Sequence, residues 1–359
     1  MKIESGEVPH ALAEAIDRLM SVDVSGRGFI AQAYAVARQR AGAPLVQVAG
    51  DSLLKAIAGR KGAVVFIVTG ATSLRPGLPP HIGETDGPAG AVALARSLAL
   101  ACGVAPILLT DPGQATMLSQ AAQSLGLYTL PPEAVILQAT ETAHAGAVAV
   151  LEIAASGEEA DAQAVQWIEA YSPVAAIAIE KASPNDKGVF HNSSKVDTTI
   201  GKARAERIFQ RLRAAGTLTI GIGDGGNEIG MGAIREELAQ CFPELARCAC
   251  PCGGEVLASE PTDCLITAAV SNWGGYALSA YLSYMRKMPY AAHSSERERR
   301  LLEGCARAGY MDLNGLCAPG ADALPSEIHQ AFVKLLSALV LYPALDLGRQ
   351  GFLDDLIAR

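Results

Sequence analysis

The sequence predicts an α/β fold of three layers, in which a mostly parallel central sheet is covered by helices on both faces, with N- and C-terminal helical additions. Ala, Gly, Leu and Val are abundant while aromatic residues make up only 5%, a composition that suits helices packed closely on a sheet. From residue 63 onward, short β-branched runs alternate with longer helical patterns. The runs are continuously apolar, which indicates strands buried on both faces.

The predicted elements follow one another regularly along the middle of the chain. Strands are expected at AVVFIVTG, APILLT, AVILQA, PVAAIAIE and TLTIGIGD. The intervening helices are expected from Pro88 to about Gly103, through MLSQAAQSLG, up to about Tyr171 and through KARAERIFQRLRAAG. The carboxy-terminal third, from DCLITAAVSNWGGYALSAYLSYM to HQAFVKLLSALVL, is interpreted as helices packed on the same sheet.

The chain shows no internal repeat, low-complexity linker or sharp change of composition. We therefore expect one compact domain, made of an N-terminal helical segment over residues 1–60 and an α/β catalytic domain over residues 61–359. The sequence leaves a homo-oligomer open.

Charge and hydropathy restrict the class of partner. The net charge is -8 and no block of Lys or Arg could follow a phosphate backbone, so nucleic acid is not an expected partner. The apolar runs are shorter than the ~20 residues of a membrane span. The amino terminus lacks the continuous apolar core of a signal peptide, and a cytoplasmic protein is expected.

The eight cysteines are irregularly spaced in a long chain, which favours reduced thiols over a disulfide framework. Cys248, Cys250 and Cys252 lie close together in CACPC and resemble a metal knuckle. No second C-x-x-C or His pair follows to complete a tetrahedral zinc site, so small thiols in a strand or loop are the favoured interpretation.

Three loops that follow predicted strands carry polar residues, and ligands of open parallel sheets bind at such strand ends. The first loop follows Thr69 and Gly70, which are predicted to bind substrate, and contains Glu84 and Asp86 just before Pro88. Two carboxylates between Gly and Pro at a strand end suggest a functional site. Simple capping of the next helix is the alternative.

The second loop begins with Glu180 and Lys181, opposite charges at the point where a strand ends. Burial would raise the pKa of Glu180 and make it a usable base, whereas a salt bridge at the sheet edge would keep it ionised. Asn192, further along this loop, is predicted to bind substrate. His191 beside it is expected to be structural or exposed more readily than catalytic.

The third loop, GIGDGGNEIGMG, places Gly221, Gly223 and Gly226 in the G-x-G-x-x-G spacing of dinucleotide-binding proteins. Asp224 and Glu228 would put negative charge where a pyrophosphate binds, so no NAD is expected.

Carboxylates on glycine-rich turns instead suit a hard divalent cation, Mn²⁺ or Mg²⁺. The predicted metal ligands are Glu84, Asp86, Asp224 and Glu228. Gly225, Gly226 and Asn227 are predicted to bind substrate. A fourth stretch, SNWGGYAL, offers Asn272 as a substrate-binding amide, with Trp273 either beside it or in the core.

The combination of GETDGPAGA, AIEKASPNDKG with a downstream HN, GIGDGGNEIGMG and SNWGGYAL resembles the D-glutamate cyclase family over roughly residues 60–290. The resemblance implies reversible dehydration of D-glutamate, a small amino dicarboxylate, to 5-oxo-D-proline. It also implies that one set of motif residues faces the site: Glu84, Asp86, Glu180, Asp224, Asn227 and Glu228.

The resulting hypothesis is a lyase in which a divalent cation polarises the distal carboxylate of the substrate. Glu180, Lys181 and Asp224 are the predicted catalytic residues: Glu180 deprotonates the ammonium group, and Lys181 binds a carboxylate or protonates the departing oxygen. Two alternatives use the same loops. One is a divalent-metal-dependent phosphatase acting on a small metabolite, and the other is a module that binds a small acid without turnover.

Overall fold

A computed structural model describes residues 7–72, 79, 82–141 and 145–344 of the chain. Its centre is a seven-stranded sheet in the order β3-β4-β2-β1-β5-β6-β7, with every neighbouring pair parallel. The strands are β1 Val64–Thr69, β2 Ala105–Thr110, β3 Tyr128–Thr129, β4 Ala147–Glu152, β5 Ala175–Ile179, β6 Leu218–Gly223 and β7 Cys264–Thr267. A separate antiparallel hairpin joins β8 Gly320–Ala321 to β9 Leu324–Pro325.

Helices cover both faces of the sheet. They are α1 Glu7–Met20, α2 Phe29–Ala41, α3 Leu45–Ile57, α4 Pro88–Cys102, α5 Ala115–Ser124, α6 Pro132–Thr140, α7 Gly157–Tyr171, α8 Glu206–Ala214, α9 Arg235–Cys241, α10 Ser271–Met285, α11 Ser295–Ala308 and α12 Ser326–Ala344. None of the helices in the described part of the chain combines the length and hydropathy that a membrane span requires.

Alternate residues of β1 enter two different cores. Val65 and Ile67 pack with α3, α4 and α10, whereas Phe66 and Val68 pack with α7 and α8 on the opposite face. Successive side chains of a strand point to opposite faces, so a strand with a core on each side must be apolar throughout. The predicted three-layer α/β fold is confirmed.

Two sequence-based assignments were wrong. The run AVILQA was expected to be a strand, but it lies in α6, which begins at Pro132; the strand is the following run, AVAVLE, in β4. A short apolar run does not by itself distinguish a strand from a buried helix, and here the proline at the first helical position marks the helix. The start of DCLITAAV was interpreted as helical, but Cys264–Thr267 forms β7 at the sheet edge beside β6.

The helices α4 and α10 cross at an unusually close distance. A Cβ atom built on Gly90 would lie 2.9 Å from the Cα of Asn272, and one built on Gly275 would lie 3.1 Å from the Cα of Gly90. Glycine permits this approach because it has no side chain. The motifs GPAGA and NWGGYA therefore serve helix packing, and the crossing holds the first turns of both helices against the same edge of the sheet.

Candidate active site

A cleft of about 320 Å³ opens beyond the carboxyl ends of β1, β5 and β6. This is the edge at which open parallel sheets bind ligands. The lining residues are Arg27, Ala71, Thr72, Glu84, Glu180, Ala182, His191, Asn192, Ser193, Ser194, Thr198, Lys202, Asp224, Gly225, Asn227, Glu228, Leu313 and Asp322. The cleft is strongly polar, and carboxylates from several loops meet in it.

Asp224 is the centre of the acidic cluster, which we define as Asp86, Glu180, Asp224, Glu228 and Asp322. Ligand oxygens of Asp86, Asp224 and Asp322 lie within 4.8 Å of one another, and so do those of Glu180, Asp224 and Glu228. Both groups share Asp224, which directly follows β6. Like charges this close disfavour full ionisation, so the cluster has to hold protons or a cation.

Glu180 directly follows β5 and has a φ of +48°, a left-handed conformation that non-glycine residues rarely adopt. The hydroxyl of Ser271 donates a 2.6 Å hydrogen bond to its Oε2 atom. Burial, followed by the negative charges of Asp224 and Glu228, raises the pKa of Glu180 well above its usual range. The side chain is thus a stronger proton acceptor than an ordinary carboxylate.

Glu228 is buried and closes the glycine-rich turn of the third loop. Its two carboxylate oxygens accept hydrogen bonds of 2.8 Å from the backbone N–H groups of Gly225 and Gly226. Burial, followed by Asp224, raises the pKa of Glu228 to about 7. In a dinucleotide-binding loop such N–H groups would face a pyrophosphate, but here this carboxylate occupies them.

Asp86 and Asn272 cap each other's helices. Asp86 accepts hydrogen bonds from the N–H groups of Ser271 (3.1 Å) and Asn272 (2.8 Å) at the start of α10. Asn272 Oδ1 accepts from the N–H groups of Gly87 (2.9 Å) and Gly90 (2.6 Å) at the start of α4. Burial, then the charge of Asp224, raises the pKa of Asp86 to about 8. Asp86 therefore both caps a helix and belongs to the acidic cluster.

Arg27 reaches the cluster from the loop before α2. Its Nη2 atom lies 2.8 Å from Asp224 Oδ2 and 2.9 Å from Asp322 Oδ2. Burial disfavours the guanidinium charge, but the charges of Asp224 and Asp322 outweigh that cost and raise the pKa of Arg27. Asp23 shapes the loop by accepting hydrogen bonds from the backbone N–H groups of Arg27 (3.2 Å) and Gly28 (2.6 Å).

Asp322 lies in the turn of the hairpin between β8 and β9 and has a φ of +55°. Neither Arg27 nor Asp322 was among the predicted site residues. The signals were present but weak: Arg27 stands between two glycines, and Asp322 lies in the short turn segment GADALP. Their meeting with Asp224 depends on contacts between residues far apart in the chain.

Comparison with known proteins shows the family of the chain. The family model described as D-glutamate cyclase-like, C-terminal, matches residues 16–337. The chain belongs to the D-glutamate cyclase-like family. A curated relative, the mitochondrial D-glutamate cyclase of Homo sapiens, is 31% identical over 170 residues, which are 46% of this chain and 24% of the human protein. The chain thus matches less than two thirds of that relative's length.

In this member of the D-glutamate cyclase-like family, several of the predicted site residues line the cleft. Glu180, Asp224 and Glu228 meet from the second and third loops, and Asn192, Gly225 and Asn227 also line the cavity. Glu84 lines the cleft too, but among the described residues it belongs to neither group of converging carboxylates. Its backbone N–H donates to the carbonyl of Ala71 (2.9 Å). The carboxylate that lies beside Asp86 and Asp224 is that of Asp322, whereas the predicted partner of these two residues was Glu84.

Lys181 does not line the cleft, and its predicted role at the substrate is corrected here. The side chain is buried, and its Nζ atom lies 2.5 Å from Asp111 Oδ2 and 3.0 Å from the carbonyl oxygen of Gly70. The left-handed conformation of Glu180 changes the direction of the chain after β5, and Glu180 lines the cleft while Lys181 is buried against Asp111. Lys202, which the sequence did not single out, lines the cleft instead.

Four further predicted ligands of the substrate have structural partners. Thr69 donates its hydroxyl hydrogen to the carbonyl of Ile179 at 3.0 Å. Gly70 packs closely on the end of β2, because a Cβ atom built on it would lie 2.8 Å from Thr110 Oγ1. Gly226 packs against the side chain of Leu257, because a Cβ atom built on it would lie 3.0 Å from Leu257 Cδ2. Asn272 is buried, and its amide accepts hydrogen bonds from the N–H groups of Gly87 and Gly90 and donates to the carbonyl of Thr85, so it serves helix capping instead of the cleft.

Trp273 belongs to the core. Its indole ring stacks on Phe332 with the ring centroids 4.2 Å apart, and its Nε1 atom donates to His329 Nδ1 at 3.0 Å. Phe332 and His329 lie on α12, so the tryptophan anchors that helix to α10. Of the two interpretations that the sequence left open, the core position is the one observed.

Proposed function

We propose that this chain is a lyase that interconverts D-glutamate with 5-oxo-D-proline and water. The observation that carries the proposal is the position of Glu180, a carboxyl group with a raised pKa, in a cleft with converging carboxylates. Membership of the D-glutamate cyclase-like family supports lyase chemistry, and the name of the human relative supports the substrate.

The reaction balances without an external reagent. In the direction of ring closure, the substrate nitrogen attacks the carbon of the distal carboxylate, a C–N bond forms and a C–O bond breaks. Two protons leave the ammonium nitrogen and two join the departing oxygen, which leaves as water. The site therefore needs a group that accepts a proton near the nitrogen and one that donates a proton near the oxygen.

The chain offers both groups. Glu180 accepts a proton from the substrate ammonium, which the surplus negative charge of the cluster attracts. Glu228, whose pKa is raised to about 7, can donate a proton to the departing oxygen near neutral pH. Lys202 lines the same cleft and supplies a positive charge for a substrate carboxylate. Asn192 and Asn227 add polar groups that orient the substrate.

The acidic cluster also fits a divalent cation. Carboxylate oxygens are the ligands that Mg²⁺ and Mn²⁺ prefer, and each half of the cluster brings three carboxylates within 4.8 Å. Such a cation would act as a Lewis acid on the distal carboxylate of the substrate. Asp224 belongs to both halves, so its charge is needed whichever half holds the ion.

The proposal is tested by an NMR time course of the purified protein with D-glutamate and, separately, with 5-oxo-D-proline. Each substrate is incubated with Mn²⁺, Mg²⁺ or EDTA, and L-glutamate is the stereochemical control. We expect interconversion by the wild type and its loss in Asp224→Asn, which keeps the shape of the side chain. Glu169→Gln, an exposed substitution on α7, is the matched control and should leave the rate unchanged.

If the folded wild-type protein converts neither compound with any of the cations, the proposed cyclase reaction is excluded. Metal-dependent release of phosphate from p-nitrophenyl phosphate, abolished by Asp224→Asn, would then assign the same cluster to phosphoester hydrolysis. Calorimetric binding of D-glutamate that is recovered unchanged would instead identify a module without turnover.

A further inference from the structure

A second group of potential metal ligands lies beside the cleft and takes no part in the proposed reaction. Cys248, Cys250 and Cys252 follow α9 and converge on the imidazole of His191, and their ligand atoms all lie within 4.8 Å of one another. We call these four residues the Cys3His cluster. His191 is 59 residues away from Cys250 in the chain, so the spacing of the cysteines alone gave no sign of a fourth ligand.

The distances match those of a tetrahedral metal site. Cys248 Sγ lies 3.5 Å from Cys250 Sγ and 3.4 Å from Cys252 Sγ. His191 Nε2 lies 3.3 Å from Cys250 Sγ and 3.8 Å from Cys252 Sγ. With Zn–S bonds of about 2.3 Å, tetrahedral geometry separates two sulfur ligands by about 3.8 Å. Small outward shifts of the thiols would therefore admit a zinc ion at their centre.

The surrounding backbone is arranged to stabilise thiolates. The N–H group of Cys252 points to Cys250 Sγ at 3.4 Å, and that of Gly254 points to Cys252 Sγ at 3.4 Å. The side-chain amide of Asn185 lies 3.6 Å from Cys252 Sγ. Donors around the sulfurs favour the deprotonated ligands that bind metal, and such outer contacts also fix the direction of each ligand.

We propose that the Cys3His cluster binds one Zn²⁺ ion in a closed structural site. Three thiolates and one imidazole complete a four-ligand shell without water, which is typical of zinc sites that stabilise a fold. A disulfide would use two of the three thiols and leave the imidazole without a role, and all eight cysteines are in the free form.

The ion would join two loops that form a wall of the cleft. His191 lies in the loop after β5, in which Asn192, Ser193 and Ser194 line the cavity, and its carbonyl oxygen accepts a 2.9 Å hydrogen bond from the side chain of Asn227. The cysteines lie in the loop after α9. Zinc would thus position the cleft wall without contacting the substrate, and this inference does not depend on which reaction the cleft performs.

The first experiment measures metal content by plasma mass spectrometry after purification under reducing conditions with Zn²⁺. The protein is then reconstituted with Co²⁺, because thiolate-to-cobalt charge transfer and tetrahedral visible bands report the ligand set directly. We expect one thiolate-bound metal per chain. Cys250→Ser should weaken metal binding and lower the charge-transfer intensity per bound cobalt, because it removes one of the three thiolates, and Cys317→Ser, at an exposed cysteine outside the cluster, should leave both unchanged.

Three further variants separate the zinc site from the acidic cluster and from general misfolding. His191→Cys retains four ligands and should keep the metal, whereas His191→Ala should weaken its binding at least tenfold. Asp224→Asn should leave the cobalt spectrum unchanged. Absence of a thiolate band in the wild type, a metal affinity and band intensity that Cys250→Ser leaves unchanged, or a native disulfide among the three cysteines would each overturn the proposal.

Discussion

Glu180 combines a left-handed backbone conformation, a hydrogen bond from Ser271 and a position among like charges. The left-handed conformation and the like charges cost free energy in the folded protein, which is acceptable where the residue serves chemistry, and the hydrogen bond from Ser271 offsets part of that cost. The substitution Glu180→Gln keeps the size of the side chain and a hydrogen-bonding partner for Ser271, but it removes the proton acceptor.

We expect Glu180→Gln to lower the rate of 5-oxo-D-proline formation by about 10²- to 10⁴-fold, the range associated with general base catalysis. The Michaelis constant for D-glutamate should change much less than kcat, because the substitution affects proton transfer more than binding. Steady-state NMR or coupled assays in both directions measure this. Retention of the wild-type kcat would exclude Glu180 as the base.

Lys181 and Lys202 allow a comparison between a structural and a cleft lysine. Lys181→Met leaves Asp111 buried without its cation, so we expect a loss of about 3–5 kcal/mol in the free energy of unfolding. Lys202→Met should cost less stability and raise the Michaelis constant for D-glutamate, because Lys202 lines the cleft. Urea titration and steady-state kinetics check the two variants, and the reverse pattern would contradict the assignment.

Four acids of the cluster, Asp86, Glu180, Asp224 and Glu228, were predictable from the sequence because each stands at the end of a predicted strand or in the loop that follows it, whereas Asp322 was not. Asp224 and Glu228 stand in one short turn after a strand, and burial of that turn follows from its glycines and apolar neighbours. Arg27 was not predictable, because its hydrogen bond to Asp224 spans 197 positions of the chain. Lys181 was misassigned since sequence order does not show which side of a strand end a residue faces.

At the scale of elements, the reciprocal capping of α4 and α10 determines where the acidic loops lie. Asp86 caps α10 and Asn272 caps α4, so each helix fixes the first turn of the other. The glycines at the crossing bring the two backbones together. Two members of the acidic cluster, Asp86 and Glu180, are therefore tied to this helix pair by hydrogen bonds to the first turn of α10.

Gly90→Ala should destabilise the protein although alanine is the better helix former. The added Cβ would lie 2.9 Å from the backbone Cα of Asn272, and neither backbone can move away without disturbing both caps. We expect a loss of about 1–3 kcal/mol in the free energy of unfolding. Gly157→Ala, at the first position of α7 where the nearest atom is 3.6 Å away, is the control. Equal stability of the two variants would contradict the close crossing.

The sheet was largely predictable from its buried apolar runs, and the errors have a common physical cause. AVILQA and AVAVLE are both apolar and of strand length, so hydropathy alone could not decide which of them lies in the sheet. The edge strand β7 was missed because its four residues continue without a break into the apolar segment before α10. In both cases tertiary packing determines the outcome.

For the whole molecule, the acidic cluster makes stability depend on pH in an unusual direction. The pKa of Asp86 is raised to about 8 and that of Glu228 to about 7, mainly by burial and by Asp224. The folded protein therefore binds more protons than the unfolded chain between about pH 4 and pH 8. Stability from these groups is fully present below their unfolded pKa values and is lost as the pH rises through the folded ones.

We expect the free energy of unfolding to fall by on the order of a few kcal/mol between pH 5 and pH 8 in EDTA, as measured by urea titration. Mn²⁺ or Mg²⁺ should reduce this loss at pH 8, because a cation neutralises the carboxylates that have lost their protons. Asp17, whose pKa is raised to about 6 by burial outside the cleft, contributes in the lower part of the range. The carboxyl groups of the cleft should therefore dominate the pH dependence of the free energy of unfolding above pH 6.

The double variant Asp86→Asn/Glu228→Gln separates these contributions, because it removes two of the titrating carboxyl groups of the cleft and replaces them with neutral side chains of the same size. Its stability should depend less on pH between 6 and 8 and respond less to the cation than that of the wild type. The Asp17 contribution at lower pH should persist in it, which provides an internal control. A wild-type stability that rises from pH 6 to pH 8 in EDTA would mean that the cluster is already neutralised by other means, and the cation effect should then be absent as well.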